Sequence, residues 1–186
     1  MIAGEEKAAL RRAMRQRAAA LDPAYNARAS AEICQALAAL SACRKADTVF
    51  CFVGTAIEID TGPFLRQMLA ARKCLCVPLC TGKGQMEARA IRSLDELRPG
   101  HMGIPEPPSD AFCVSPEAID FCVVPCLCAT PDGARLGYGG GYYDRFLPLL
   151  RPDAARVLVC RKEMLVSQLP LESHDVKFAG VLTEKE

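Results

Sequence analysis

This sequence lacks the features that commit a chain to a membrane, to export or to a polyanion. No apolar run approaches the ~20 residues of a bilayer-spanning helix. Met1 to Arg17 alternates charge with alanine and holds no apolar core of the kind a secretory leader needs. The formal net charge is +1, so no global field draws nucleic acid or an anionic membrane. A basic first helix without a surface aromatic motif is a weak basis for RNA binding. No internal repeat or low-complexity tract is visible, so one domain over residues 1–186 is expected. Cys-x-x-Cys pairs, the usual frame of a structural zinc site, are also missing.

What is present suits a globular enzyme. Hydrophobic residues make up 51% and charged residues 24% of 186 positions, enough to bury a real core and too apolar for disorder. There are 11 cysteines, an odd number. Cys51, Cys74, Cys76, Cys122, Cys126, Cys128 and Cys160 lie in apolar runs and read as small core hydrophobes. Many cysteines in odd number and no export signal point to a reducing, cytoplasmic setting.

Hydrophobic spacing predicts helices over 5–21 and from Asp22-Pro23 onward, the latter with an aspartate cap and proline at its first position. Strands are expected at 47–53, 74–79, 86–91 (at an edge), 121–129, 156–160 and 176–183. Thr61 is read as the cap of a further helix, and Ser93 to Glu96 has capping-box spacing. Pro99 to Pro108 reads as a loop, a helix carries Phe146, Leu147 and Leu150, and a short one spans 162–168. Strands alternating with helices predict an α/β layered fold, α/β/α, with a largely parallel sheet.

The most informative run is Arg135-Leu-Gly-Tyr-Gly-Gly-Gly-Tyr-Tyr-Asp144. It follows an apolar strand and opens a helix. Glycines at 137, 139, 140 and 141 let successive backbone amides turn toward an anion, and a helix N-terminus adds partial positive charge. No Gly-Lys-Ser/Thr closes it, so it is not a P-loop; Tyr142 stands where a dinucleotide fingerprint needs glycine. It reads as a phosphate cradle or as a tight strand-to-helix turn. Arg135 is placed to bridge phosphate oxygens, or is a solvated surface group. Asp144 beside a polyphosphate implies an intervening cation such as magnesium, or is a helix-capping carboxylate. One of Tyr142 and Tyr143 is expected to pack on the sheet and the other to face a cleft.

RLGYGGGYYDRFL resembles the signature of the 5-formyltetrahydrofolate cyclo-ligase (5,10-methenyltetrahydrofolate synthetase) family. Further similarities follow in order: Lys7 to Arg11, Glu58 to Thr61, Gly103 to Pro107, Asp120 to Pro125, and His174-Asp175. The resemblance implies a fold related to the sugar-phosphate isomerase/CoA-transferase-like superfamily and a reaction using ATP and Mg2+. It implies that Lys7, Arg11, Arg135, Gly137, Tyr138, Gly139, Gly140, Gly141, Tyr142 and Tyr143 bind ATP. Asp144 and Asp175 would hold the metal. Glu58, with Val53, Met102 and the Tyr138 to Tyr142 stretch, would bind the folate. Arg135 and Glu58 would carry catalysis, and His174 has no firm role. Arg12, Arg15 and Arg17 read as a solvated basic face.

The implied reaction converts 5-formyltetrahydrofolate, polyglutamated or not, to 5,10-methenyltetrahydrofolate, with ADP and phosphate released. The expected partner is this small molecule alone, bound by a monomer, with no nucleic acid and no membrane. Departures cluster at the folate end: Met102, Cys160-Arg161 in place of an apolar-aromatic pair, and Ala179 in place of an acidic residue. A diverged nucleotide-binding paralogue, acting on another amide-like substrate or regulating without catalysis, is the alternative.

Overall fold

The computed structural model describes residues 2–172 and 175–185, apart from the side chains of residues 2, 3 and 102. Helix α1 runs Ile2–Ala20 and α2 Pro23–Ala39, followed by a short α3 at Ser41–Lys45 that hydrophobic spacing did not reveal. Strand β1 is Thr48–Cys51, α4 is Gly62–Ala70, β2 is Cys74–Gly82 and β3 is Gln85–Ile91. Short two-residue strands include β4 (Arg98–Pro99), β5 (Pro105–Glu106), β6 (Cys113–Val114) and, beyond β7 (Phe121–Val124), β8 (Cys128–Ala129). Strand β9 (Arg135–Leu136), helix α5 (Tyr142–Phe146) and strand β10 (Ala155–Leu158) complete the set.

The main sheet has the order β10-β7-β1-β2-β3-β6. Strands β10, β7, β1 and β2 are mutually parallel, and β3 and β6 add antiparallel pairs. The largely parallel α/β arrangement expected from the alternating elements is therefore present. The period-two rule explains its layers. Val49 and Cys51 point to one core with Phe121, Val123, Leu75 and Val77, where α2 and α4 deliver Ile33, Leu37, Phe64 and Leu65. Phe50 points to the opposite core with Cys76, Cys122 and Val124, where Met14 and Ala18 of α1 and Phe146 pack. Fully burying one such leucine or phenylalanine contributes about 1.5–3 kcal/mol.

Two helix starts follow their sequence cues. Asp22 Oδ1 accepts from the Tyr25 amide at 2.8 Å with proline in the first turn, and Ser93 with Glu96 forms a reciprocal capping box. Thr61 differs. It makes no cap bond. Its hydroxyl donates to the Phe52 carbonyl at 2.8 Å and accepts from the Gly54 amide at 3.1 Å, so it pins the loop after β1 instead.

The expected long strand over 121–129 is broken. Strand β7 ends at Val124, Pro125 supplies no ladder donor, and β8 pairs with β9 in a separate ribbon. The terminal strand over 176–183 is reduced to a single bridge between Val159 and Leu182, because the Phe178 amide turns to the Gly133 carbonyl at 2.9 Å. Strand β3 is not the edge, since β6 covers it. The 99–108 loop is tied by the β4–β5 pair, and the short helix expected over 162–168 is a 3-10 turn at Lys162–Met164. Among the described residues no helix is long and apolar enough to cross a membrane. All eleven cysteines are free thiols.

Candidate active site

The chain leaves β1 toward β2 on one side, whereas β7 lies on the other. In open α/β sheets this reversal of strand order opens a crevice beyond the carboxyl ends of the strands. Phe52 and Val53 follow β1 there, and Pro125 follows β7. Both segments line a cavity of about 550 Å³, a volume that suits a small-molecule site. The glycine loop, α1, the segment around His101 to Glu106, Glu172 and Asp175 supply its other walls.

Helix α1 presents a basic stripe to this cavity at intervals of four residues, Lys7, Arg11 and Arg15. Arg11 Nε donates to the Gly137 carbonyl at 3.0 Å. Arg15 Nη2 donates to the Tyr138 carbonyl at 2.9 Å, with its guanidinium 5.4 Å from the Tyr138 ring centroid. Arg15 is exposed, as expected of a solvated face, yet it also lines the cavity; its signal was the same four-residue spacing that selects Arg11. Arg17, by contrast, makes an exposed pair with Glu163.

The glycine loop is shaped by close approach and by backbone hand. Gly139 (φ 98°) and Gly141 (φ 72°) adopt the left-handed region that disfavours side chains. A Cβ on Gly137 would lie 2.9 Å from an Arg135 guanidinium nitrogen. Arg145 Nη1 bonds the Gly140 carbonyl at 3.2 Å and the Gly84 carbonyl at 3.4 Å, tying the loop to the β2–β3 turn. With the carbonyls of residues 137, 138 and 140 turned to arginines, the amides are what the loop offers an anion. Helix α5 is only five residues long, so the dipole expected behind the loop adds little; cationic side chains replace it.

Arg135 is buried and its Nη2 is ion-paired with Asp144 Oδ1. Its guanidinium carbon lies 6.0 Å from the Tyr143 ring centroid. Asp175 Oδ2 accepts from Lys7 Nζ at 2.7 Å, beside Glu172 Oε2 at 2.6 Å. Burial would pull the Lys7 ammonium down, but the bonds to Asp175 and Glu172 outweigh it and raise its pKa. Glu172 had no sequence signal of its own. Asp144 and Asp175 both line the cavity, and two carboxylates beside a phosphate-sized cradle suit a hard divalent ion. Among the described residues no group of three or more His, Cys, Asp and Glu side chains forms a metal site. A dicarboxylate donor set is compatible with a metal that takes its remaining ligands from phosphate and water.

Glu58 forms the other end. It accepts from the Thr55 amide at 3.1 Å and the Thr55 hydroxyl at 2.7 Å. Burial raises its pKa; bonds from Thr55 and Tyr138, and the charge of Arg161, offset this only in part. Burial likewise pushes the Tyr138 hydroxyl up. Tyr143 tilts against Phe50 at 6.3 Å, whereas Tyr142 faces His101 at 6.5 Å. Glu106 holds the intervening segment, accepting from the amides of Cys80 and His101, both at 3.1 Å. Met102 lies in a 3-10 turn at His101–Gly103, its side chain outside what is described; His174 also lies outside the described residues. Ala179 is exposed.

The 5-formyltetrahydrofolate cyclo-ligase family model matches residues 3–184. A protein of Mycolicibacterium smegmatis named 5-formyltetrahydrofolate cyclo-ligase is 38% identical over 98 residues, 48% of this chain and 50% of that protein. One of the same name from Escherichia coli K12 is 30% identical over 142 residues, 74% of this chain and 78% of that protein. The solved 5,10-methenyltetrahydrofolate synthetase of Aquifex aeolicus superposes with a TM-score of 0.80 at 28% identity, covering 92% of this chain and 86% of that one. Basic stripe, glycine loop and half-buried glutamate are thus set in a chain that belongs to the 5-formyltetrahydrofolate cyclo-ligase family, a family of ligase enzymes.

Proposed function

We propose that this chain closes the ring of 5-formyltetrahydrofolate to 5,10-methenyltetrahydrofolate at the expense of ATP. The observation that carries this reading is the polarity of the cavity. One wall offers Lys7, Arg11, Arg135 and the glycine-loop backbone, and the other a half-buried carboxylate, Glu58. A polyphosphate fits the first, and a ring bearing N–H donors fits the second.

Lys7, Arg11, Arg135 and the segment Gly137 to Tyr143 would hold the triphosphate. Asp144 and Asp175 would hold Mg2+, which supplies neutralising charge to the phosphates. In the free chain each of these carboxylates is paired with a cation from the same set, Asp144 with Arg135 and Asp175 with Lys7. Binding a magnesium–nucleotide complex exchanges these pairs instead of creating unpaired charge, which limits the desolvation cost.

The formyl oxygen is an amide oxygen and leaves poorly. Transfer of the γ-phosphoryl group to it makes a phosphate leaving group. N10 of the substrate then attacks the activated carbon, and phosphate departs. Arg135 serves the first step by stabilising charge on the transferring group. Val53, Met102, Tyr138 and Glu58 serve the second by fixing the ring, since an intramolecular attack gains mainly from orientation. The negative charge of Glu58 also favours the cationic methenyl product. No protein nucleophile is needed, and the free thiols suit a reducing cytoplasm.

The test is a joint assay of ADP release and methenyl absorbance with 5-formyltetrahydrofolate. Stoichiometric ADP and methenyl product are expected, both abolished when ATP or magnesium is omitted. ADP release without methenyl product would favour a paralogue acting on another amide-like substrate.

A further inference from the structure

Arg161 is 3% exposed, and none of its guanidinium nitrogens has a hydrogen-bond partner among the described residues. A buried, unpaired guanidinium is one of the costliest groups a fold can carry, so its position needs a reason. The residue follows β10 and the buried Cys160, and it faces a second, small cavity of about 20 Å³. That is room for about one water. Phe52, Ile57, Glu58 and Pro125 line both this cavity and the large cleft. Glu58 therefore stands in the wall between them, with the cleft on one side and Arg161 on the other.

We propose that Arg161 is a positioning residue for the substrate-ring end of the cleft: across the small cavity it holds Glu58 as an oriented carboxylate, ready to accept hydrogen bonds from ring N–H groups of the substrate. The inference rests on the assignment of Glu58 to the folate. Two bonds from Thr55 and one from Tyr138 leave part of the acceptor capacity of a carboxylate unused, and a guanidinium behind it attracts without occupying the cleft.

The other ionisable groups around Glu58 are Tyr138 of the glycine loop, Tyr143 of α5, Cys126 at the small cavity and Arg15 of α1 at the cleft. Around Arg161 they are Tyr25 of α2, Tyr138, Cys160 and Glu184. Glu184 is the rival counter-ion, but its carboxylate accepts from the Tyr25 hydroxyl at 2.5 Å and the Lys162 amide at 3.0 Å. Burial drives the pKa of Glu58 upward and the charge of Arg161 opposes it, so removing that charge should favour the protonated acid.

The decisive measurement is the titration of Glu58 by carbon-13 NMR of glutamate-labelled protein, its signal identified with Glu58→Gln. In Arg161→Met the midpoint should move to higher pH by about one unit, a tenfold change in proton affinity. In Arg161→Lys, which keeps the charge, it should stay near the wild-type value. The KM for 5-formyltetrahydrofolate should rise roughly tenfold at neutral pH in the methionine variant while the KM for ATP stays within about twofold. The acid limb of kcat/KM should shift to higher pH. Removing an unpartnered buried charge should not lower the melting temperature. An unchanged Glu58 midpoint in Arg161→Met would overturn the proposal, as would the same shift in Glu184→Gln without one in Arg161→Met. If the midpoint moves but the wild-type protein closes no ring, the Arg161–Glu58 link stands and the proposed reaction is what falls.

Discussion

At the glycine-loop end of the cleft Asp144 and Asp175 sit against Arg135 and Lys7. At the Glu58 end a carboxylate accepts from neutral donors, Thr55 and Tyr138, and the nearby cation, Arg161, makes no bond to it. The first arrangement stores charge as exchangeable pairs. The second stores it as a desolvated group whose ionisation depends on its surroundings. A highly charged ligand can enter the first by swapping partners, whereas a neutral ring binds the second through directed hydrogen bonds. Mutations should therefore act on turnover at one end and on affinity and pH dependence at the other.

The largest expected effect is at Arg135. Arg135→Ala should lower kcat by roughly 10²–10³-fold, as loss of a group that stabilises transition-state charge does, while raising the ATP KM much less. Equal turnover with weak ATP binding would make it a binding group and blur the contrast between the ends. Next come the carboxylates. Asp144→Asn and Asp175→Asn should each cut turnover by about 100-fold and weaken its magnesium dependence, and the double variant should lose less than the product, as two ligands of one ion would. Wild-type magnesium titrations in both single variants would return Asp144 to a plain partner of Arg135.

A smaller, different effect belongs to the far end. Glu58→Gln should raise the folate KM by about tenfold or more and leave the ATP KM nearly unchanged. The pKa of Glu58 is raised by burial, so folate affinity should be lost as pH falls through a value above the ordinary carboxylate range. That limb should vanish in the glutamine variant; its persistence would assign the titration to another group. Gly139→Ala should raise the ATP KM only several-fold, reflecting about 1–2 kcal/mol of strain at a left-handed position. The smallest effect is expected from thiol alkylation. Cys74 and Cys113 are exposed and should react with little loss of activity. Cys80 lines the cleft, but burial followed by Glu106 pushes its thiol up to about 12, so it should react slowly. Rapid, folate-protected inactivation would contradict this ordering.

The sequence by itself determined most of the frame. Alternating strands and helices, the aspartate-proline start of α2, the capping box and the glycine run are local patterns, and local patterns survive without knowledge of packing. The pairing of Lys7 with Arg11 was legible for the same reason, and Arg15 followed the identical rule, although charge alone gave no sign that its exposed side chain would bond the Tyr138 carbonyl. Tertiary structure decided the rest. Thr61 had a cap's position but found the Phe52 carbonyl, a partner set by how the loop after β1 folds back. Residues 176–183 had a strand's pattern but kept only the Val159–Leu182 bridge, because the Phe178 amide was drawn to the Gly133 carbonyl. Asp175 and Glu172 acquired Lys7 only when segments distant in sequence met, and Asp144 acquired Arg135 through the fold of the glycine loop between them. Arg161 was visible as a departure from the family pattern; its burial behind Glu58 was not, because desolvation is a property of everything packed around a charge and no local run of residues encodes it.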